Sequence, residues 1–172
     1  MTTRRQIAPA ILAILCLLPT PSAFGQTAGT LLPPDHPEVY HSFFFFMESF
    51  SQKLDEIAQR TPERKTQVME SAARYLKIDE KELPQLFATC RSVAAQLRQI
   101  GDDARQFARS ESANNEFPRT GSSQDFATRR HATIQAGSDE MKRVLSPGSW
   151  TGLHAHINGD YRRSIRQLNA PQ

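Results

Sequence analysis

The sequence contains little cysteine, with only Cys16 and Cys90 among 172 residues. Cys16 lies in an N-terminal segment that we expect to be removed, so the mature chain keeps one thiol and has no intramolecular disulfide. The absence of a Cys-x-x-Cys-His motif excludes a covalent c-type haem. Cys90 falls on an apolar helical stripe, which predicts that its thiol is buried.

Common catalytic motifs are also missing. The chain has no His-Glu-x-x-His, no Gly-x-Ser-x-Gly and no glycine-rich phosphate loop. Acidic residues occur as sequence neighbours, such as Asp102 and Asp103, and neighbours on a helix diverge by about 100° instead of converging as an acid–base pair. We therefore assign no catalytic residue. An enzyme whose residues meet only in three dimensions is the minority interpretation.

The five histidines form no chelating pair on a regular helix. His36 and His41 point about 140° apart, and His154 and His156 about 160° apart. Glu38 and His41 have the Glu-x-x-His spacing of di-iron bundles, but the sequence has no second such pair. We expect no metal and no cofactor.

No apolar run is long enough to cross a membrane. Residues 7–18 are apolar apart from one proline, but a spanning helix needs about 20 residues. This run follows two arginines and precedes small, turn-forming residues, the layout of a secretory signal peptide. The small side chains of Ala23 and Gly25 predict cleavage between Gly25 and Gln26. We expect residues 1–25 to be a signal peptide and the mature protein to be extracytoplasmic, either periplasmic or secreted, without a membrane span.

The mature chain has almost no excess of one charge. The full sequence has 21 basic and 18 acidic residues, and removal of the two arginines in the predicted signal leaves 19 basic residues. This balance predicts no nucleic-acid partner, because nucleic-acid binding depends on a strong positive field.

Apolar residues of the mature chain recur at helical spacing, and no alternating strand pattern is present. Asp35 is the predicted N-cap of the first helix, and Thr61 before Pro62 marks a stop and a restart. We expect an all-α, single-domain antiparallel bundle of four or five helices, because residues 36–60 and 62–77 form either two helices or one kinked helix. The predicted organisation is a signal peptide (1–25), a flexible lead-in (26–34), the bundle (35–168) and a tail (169–172). The large apolar members of the stripes form the predicted core: Phe43, Phe50, Leu54, Leu86, Phe87, Leu97, Trp150, Leu153 and Ile157.

Four consecutive phenylalanines, Phe43–Phe46, do not fit one core stripe, because four helical residues cover about 300°. Phe43 and Phe46 belong to the stripe, Phe44 lies at its edge, and Phe45 points among polar side chains. Either the lead-in or the predicted loop 112–123 covers Phe45, or this region binds a protein partner or a second copy of the chain. The residues of this hypothetical patch are Phe44, Phe45, Glu48 and Gln52.

Leu145-Ser146-Pro147-Gly148-Ser149 places an apolar residue at the end of one helix and a hydroxyl N-cap at the start of the next. This segment resembles the Leu-Thr-x-x-Gln element of the Spy and CpxP type periplasmic proteins, with Ser149 in place of the glutamine. The resemblance implies a small, exported, all-helical protein that acts as an ATP-independent chaperone or an envelope-stress regulator, often as a dimer.

We expect an exported, non-enzymatic helical binding protein, with a Spy/CpxP-like chaperone and a small helical enzyme as the two alternatives. The surroundings of Phe45 distinguish these classes. Exposed Phe44 and Phe45 beside another apolar patch favour an interaction surface. Covered phenylalanines, together with a cleft that gathers His131 or His154 with carboxylates, favour an enzyme.

Overall fold

Five helices account for most of residues 32–113 and 120–168, the part of the chain that the computed structural model describes. They are α1 (Pro37–Arg60), α2 (Pro62–Leu76), α3 (Leu83–Ala113), α4 (Thr120–Val144) and α5, a continuous helical run over 147–168. A 3₁₀ turn (Glu80–Glu82) precedes α3, and a π-helical turn (Ile157–Tyr161) separates the α-helical segments Pro147–His156 and Arg162–Leu168 of α5. No strand occurs in these residues, which confirms the predicted all-α class. None of the described helices is both long and apolar enough for a bilayer span.

The first helix begins with a cap that differs from the prediction. His36, not Asp35, is the N-cap of α1, and its Nδ1 accepts a hydrogen bond from the Glu38 N–H at 3.2 Å. Asp35 has a φ of 58° and lies in the left-handed region. Aspartate is among the few non-glycine residues that tolerate this conformation. The predicted capping role of Asp35 is therefore wrong, and its side chain contacts α5 instead.

The link between α1 and α2 is a single residue. The Thr61 N–H donates to the Ile57 carbonyl at 2.8 Å, which closes α1. Pro62 occupies the first turn of α2, where a missing N–H costs no helical hydrogen bond. The sequence alternative between two helices and one kinked helix is thus settled as two helices.

Helix α3 is antiparallel to α1. Along α1 from Glu48 to Asp55, the ion-pair partner on α3 changes from Arg98 back to Arg91. Helix α4 is antiparallel to α3 by the same reasoning, since Asp103 pairs with Arg129 and residues nearer the start of α3 contact later residues of α4. The three helices α1, α3 and α4 therefore enclose the main core.

Of the predicted loop 112–123, residues 112–113 and 120–123 are helical, and residues 114–119 lie outside the described part of the chain. The signal peptide (1–25), most of the lead-in and the tail also lie outside it, so these predictions stay predictions.

The predicted core is confirmed for seven of the nine residues; Phe50 and Trp150 are half-buried. Cys90 is fully buried as predicted, and burial raises the pKa of its thiol. Such a thiol stays protonated and unreactive at neutral pH.

The start of α5 is fixed against the end of α2 and the following 3₁₀ turn. A Cβ added at Gly152 would lie 2.4 Å from the Lys77 carbonyl oxygen, so only glycine permits this approach. The Ser149 hydroxyl accepts the Asp79 N–H at 3.0 Å, and Glu82 Oε1 accepts the Ser146 N–H at 2.8 Å. These contacts hold the first turns of α5 in the position from which Trp150 and His154 reach the candidate site.

Candidate functional site

A cleft with a volume of about 330 Å³ lies between the start of α1, the second half of α4 and the first turns of α5. The α1 side contributes Asp35 and Tyr40, and α5 contributes Trp150 and His154. The α4 side is mostly polar and includes Lys142. This volume is in the range of small-molecule sites, about 300–1,000 Å³.

The carboxylate of Asp35 is held by two side chains of α5. Its Oδ1 accepts a hydrogen bond from Asn158 Nδ2 at 2.8 Å and lies 2.8 Å from His154 Nε2. Because a carboxylate oxygen can only accept, Nε2 is the nitrogen of His154 that carries the hydrogen in this contact. Within the described residues, Asp35 Oδ2 receives no hydrogen bond and is available to a ligand.

Asn158 also fixes the backbone of Asp35. The Asp35 N–H donates to Asn158 Oδ1 at 2.7 Å, which supports the left-handed conformation of this residue. Asn158 lies in the π-helical turn of α5, and single π turns within α-helices are frequent at functional sites. The turn therefore contributes the residue that positions Asp35.

Tyr40 is buried, lines the cleft and contacts Asp35. Its hydroxyl lies 3.4 Å from Asp35 Oδ1 and also interacts with Ser138 and Asn158. Burial, together with the neighbouring Asp35 carboxylate, raises the pKa of Tyr40 to about 12. The phenol is thus a neutral hydrogen-bond donor over the physiological pH range.

The rest of the cleft lining includes the aromatic ring of Trp150 and charged side chains of α4. Trp150 is half-buried, and its ring centroid lies 5.2 Å from that of His154. On α4, Asp139 accepts one long hydrogen bond from Gln135 at 3.3 Å. Neither Lys142 nor His131, which also lines the cleft, makes a hydrogen bond or ion pair with the described part of the chain. The cleft thus combines a fixed carboxylate, an aromatic wall and an unpaired ammonium.

The predicted interaction patch is only partly on the surface. Phe44 is fully buried, and its ring lies against Gly137, where an added Cβ would come within 2.8 Å of Cζ. Phe44, predicted at the edge of the core stripe and in the hypothetical patch, therefore lies in the core, because glycine lets α4 approach α1 closely enough to cover it. Gln52 is exposed as predicted.

Phe45 and Glu48 lie on the side of α1 that faces Arg98. The Arg98 guanidinium carbon is 5.8 Å from the Phe45 ring centroid, and the His41 ring is 5.0 Å away on another side. Glu48 is buried, not exposed, and accepts two hydrogen bonds from Arg98 at 2.5 and 2.6 Å. Phe45 is half-buried under these contacts, and its role in binding a partner stays a prediction.

Sequence reasoning did not find the Asp35–Asn158 contact, because 123 residues separate the two positions. It did name a cleft that gathers His131 or His154 with carboxylates as the arrangement that would favour an enzyme. The structure places both in the lining of the same cleft, with Asp35 and Asp139. Among the described residues, no group of three or more histidine, cysteine or acidic side chains is arranged to hold a metal ion.

Comparison with protein-family models, with curated proteins and with solved structures finds no match for this chain. Its function is therefore argued from the cleft and the surface alone.

Proposed function

We propose that this chain is an exported helical binding protein that takes a small polar molecule in the cleft between α1, α4 and α5. The observation that carries the proposal is the geometry of Asp35. Its carboxylate lines the cleft and is held on one oxygen by His154 and Asn158, while the other oxygen accepts no hydrogen bond from the described residues. Export follows from the predicted signal peptide at residues 1–25.

The backbone of Asp35 stands in a turn closed by the His36 N–H and the Pro33 carbonyl at 3.3 Å, and its side chain joins this turn to α5. A non-glycine residue in the left-handed region costs on the order of 1 kcal/mol, and such residues cluster at ligand sites. The N-cap of α1 is already provided by His36, so helix capping does not account for Asp35. The contacts of the carboxylate within the fold use only Oδ1, which leaves Oδ2 for a ligand.

An apolar client surface receives less support from the described residues. Tyr75 is the one large apolar side chain that is exposed there, and it is 43% exposed. Single exposed apolar side chains are normal for soluble proteins and do not mark a binding patch. A polar cleft is therefore the preferred site over a chaperone-like surface.

A second candidate function is acid–base catalysis in the same cleft. The criterion from the sequence favours it, since Phe44 is buried, Phe45 is half-buried, and the cleft gathers both histidines with carboxylates. The contact of 2.8 Å between Asp35 and His154 Nε2 is the kind of pairing that orients an imidazole, leaving Nδ1 to accept a proton from a water or a substrate. This candidate requires turnover of the bound molecule. It is tested by incubating each ligand with the protein and following its loss, with His154→Gln as the inactive variant.

The binding proposal can be tested with the fluorescence of Trp150, because it is the single tryptophan of the chain and lines the cleft. A library of small polar compounds is screened for changes in Trp150 emission. Each hit is titrated against wild-type protein, Asp35→Asn and the control Asp125→Asn, which replaces an exposed aspartate of α4 outside the cleft lining.

We expect hits to bind wild-type and Asp125→Asn protein equally, and to bind Asp35→Asn about tenfold more weakly or worse, since a charge-assisted hydrogen bond contributes ~1.5–3 kcal/mol. Hits that bind all three proteins alike, or a screen without hits, would overturn the proposal. Thermal unfolding of each variant checks that it is folded.

A further inference from the structure

We infer that the ligand of this cleft has charged groups at both ends: a cationic nitrogen that donates to Asp35 and an anionic group that binds Lys142. This inference rests on the proposed binding function and adds the chemical class of the ligand. It depends on which charged groups of the cleft already have partners in the fold and which do not.

The Asp35 end favours a cationic nitrogen. Oδ2 of Asp35 is an open acceptor, and the Asp139 carboxylate also lines the cleft with only one long hydrogen bond. A cationic N–H group forms short, strong hydrogen bonds with a carboxylate. The ring of Trp150 also lines the cleft, and an aromatic face attracts a cation further.

The Lys142 end favours an anion. The adjacent Arg143 uses both oxygens of Glu140, with hydrogen bonds of 2.7 and 2.5 Å, so this acid is already occupied. Asp139, three residues before Lys142, accepts its hydrogen bond from Gln135 and forms no ion pair with Lys142 in the described chain. Lys142 thus lines the cleft without an ion-pair partner among the described residues.

A ligand with one charge would satisfy only one of these ends. A simple amine would leave Lys142 unpaired, and a simple acid would face Asp35 and Asp139 without a cation of its own. A molecule with both charges pairs each end and leaves the apolar part of its chain beside Trp150. This is the chemistry of an amino acid in the broad sense, with the distance between amine and acid set by the cleft.

The test uses three matched series of probes: unbranched ω-amino acids of four to eight carbons, and the alkylamines and alkanoates of the same lengths. Each probe is titrated against Trp150 fluorescence at low and moderate salt. The proteins are wild type, Asp35→Asn, Lys142→Gln and the control Lys65→Gln, which removes an exposed lysine of α2.

We expect an ω-amino acid of one length to bind wild-type and Lys65→Gln protein about tenfold more tightly than the amine or acid of that length. Lys142→Gln should reduce the affinity of this amino acid to that of the amine and leave the amine unchanged. Asp35→Asn should weaken the amino acid and the amine together. Because Lys142 is exposed and unpaired, its variant tests the inference even if Asp35→Asn does not fold.

Alkanoates that bind as tightly as the amino acids, or a Lys142→Gln variant without effect, would overturn the inference. If no ω-amino acid binds at millimolar concentration while other hits from the library bind and depend on Asp35, the ligand class is wrong and the binding function stands. If no ligand depends on Asp35, the binding function itself is wrong.

Discussion

Asn158 holds Asp35 at two points: its Nδ2 donates to the Asp35 carboxylate at 2.8 Å, and its Oδ1 accepts the Asp35 backbone N–H at 2.7 Å. The two residues lie 123 positions apart in the sequence. This reciprocal pair joins Asp35 to the π-helical turn of α5. It uses Oδ1 of the carboxylate, and Oδ2 accepts no hydrogen bond from the described residues. The cleft therefore depends on an amide at position 158.

Replacement of Asn158 by alanine tests that dependence. We predict a loss of about 1–2 kcal/mol in the free energy of unfolding, the value of one or two partly exposed hydrogen bonds. We also predict weaker binding of any cleft ligand, because Asp35 is no longer held in place. Urea unfolding and Trp150 fluorescence titration measure the two effects, with Gln96→Ala on the exposed face of α3 as the control. Unchanged stability together with unchanged ligand binding would contradict this role of Asn158.

The close approach of α5 to the end of α2 gives a second prediction. In Gly152→Ala, the new Cβ would lie 2.4 Å from the Lys77 carbonyl oxygen, so one backbone segment has to move. Overpacking of this kind costs about 1–3 kcal/mol. The matched control is Gly148→Ala on the same helix, where an added Cβ meets nothing within 4 Å. We predict that Gly152→Ala melts at a lower temperature than wild type and that Gly148→Ala shows no such decrease. Equal melting temperatures for the two variants would refute the contact.

The buried carboxylate of Glu48 gives a third prediction. In Arg98→Met, Glu48 keeps its burial and loses both of its guanidinium hydrogen bonds. Because the Arg98 side chain is itself half exposed, we expect a loss of about 1–3 kcal/mol, below the value for a fully buried pair. Arg105→Met breaks an exposed pair with Asp102 and should cost less than about 1 kcal/mol. Chemical denaturation of both variants gives the comparison, and similar losses would show that Glu48 is not buried.

The burial of His156 gives a prediction about how the free energy of unfolding depends on pH. Its side chain is buried between α5 and α2, with the Tyr75 ring centroid 4.5 Å away. Burial, and then the charge of Lys77, lowers the pKa of His156, while Asp160 acts in the opposite direction. As the pH falls, the imidazole of His156 is therefore protonated in the unfolded chain before it is protonated in the folded chain. The contribution of His156 to the free energy of unfolding is fully present above the unfolded pKa of ~6.5 and decreases as the pH falls below it.

We predict that the wild-type free energy of unfolding decreases between pH 7.5 and 5.5, and that His156→Leu decreases less. Replacement by leucine leaves no group of the protein without its hydrogen-bond partner, because Nε2 of His156 is buried and makes no hydrogen bond in the described structure. Some dependence should persist, since burial also lowers the pKa of His41. The exposed His131→Gln is the control. An identical pH dependence in wild type and His156→Leu would rule out a contribution from His156.

The helices could be predicted from the sequence because their signals are local. Thr61 before Pro62, and Ser146 before Pro147, mark helix boundaries within two residues, and the stripe that includes Cys90 follows from periodicity alone. The position of Phe44 could not be predicted in this way. Its burial depends on Gly137, a residue of another helix that allows the backbones to approach.

The candidate site was less predictable than the fold for the same reason. Asp35 matches a helix cap in sequence. The two prolines before it favour a turn, which the structure closes between Pro33 and His36, but nothing near it in the chain indicates a partner in α5. His154 has the spacing of a core residue with Trp150, and only the fold places it against a carboxylate. A site of this kind, assembled from three helices, leaves no motif of adjacent residues.

Ligand binding in the cleft is tested most directly by the indole N–H resonance of Trp150 in a two-dimensional ¹H–¹⁵N spectrum, which contains a single indole peak. The protein is titrated with the compound that binds it most tightly in the screens above. We predict that the Trp150 peak moves together with the backbone amides of Asp35, His154 and Asn158, and that the same concentrations move the Trp150, His154 and Asn158 peaks much less in Asp35→Asn. Movement confined to the amides around Phe45 and Gln52, with the Trp150 peak unchanged, would contradict a ligand in this cleft.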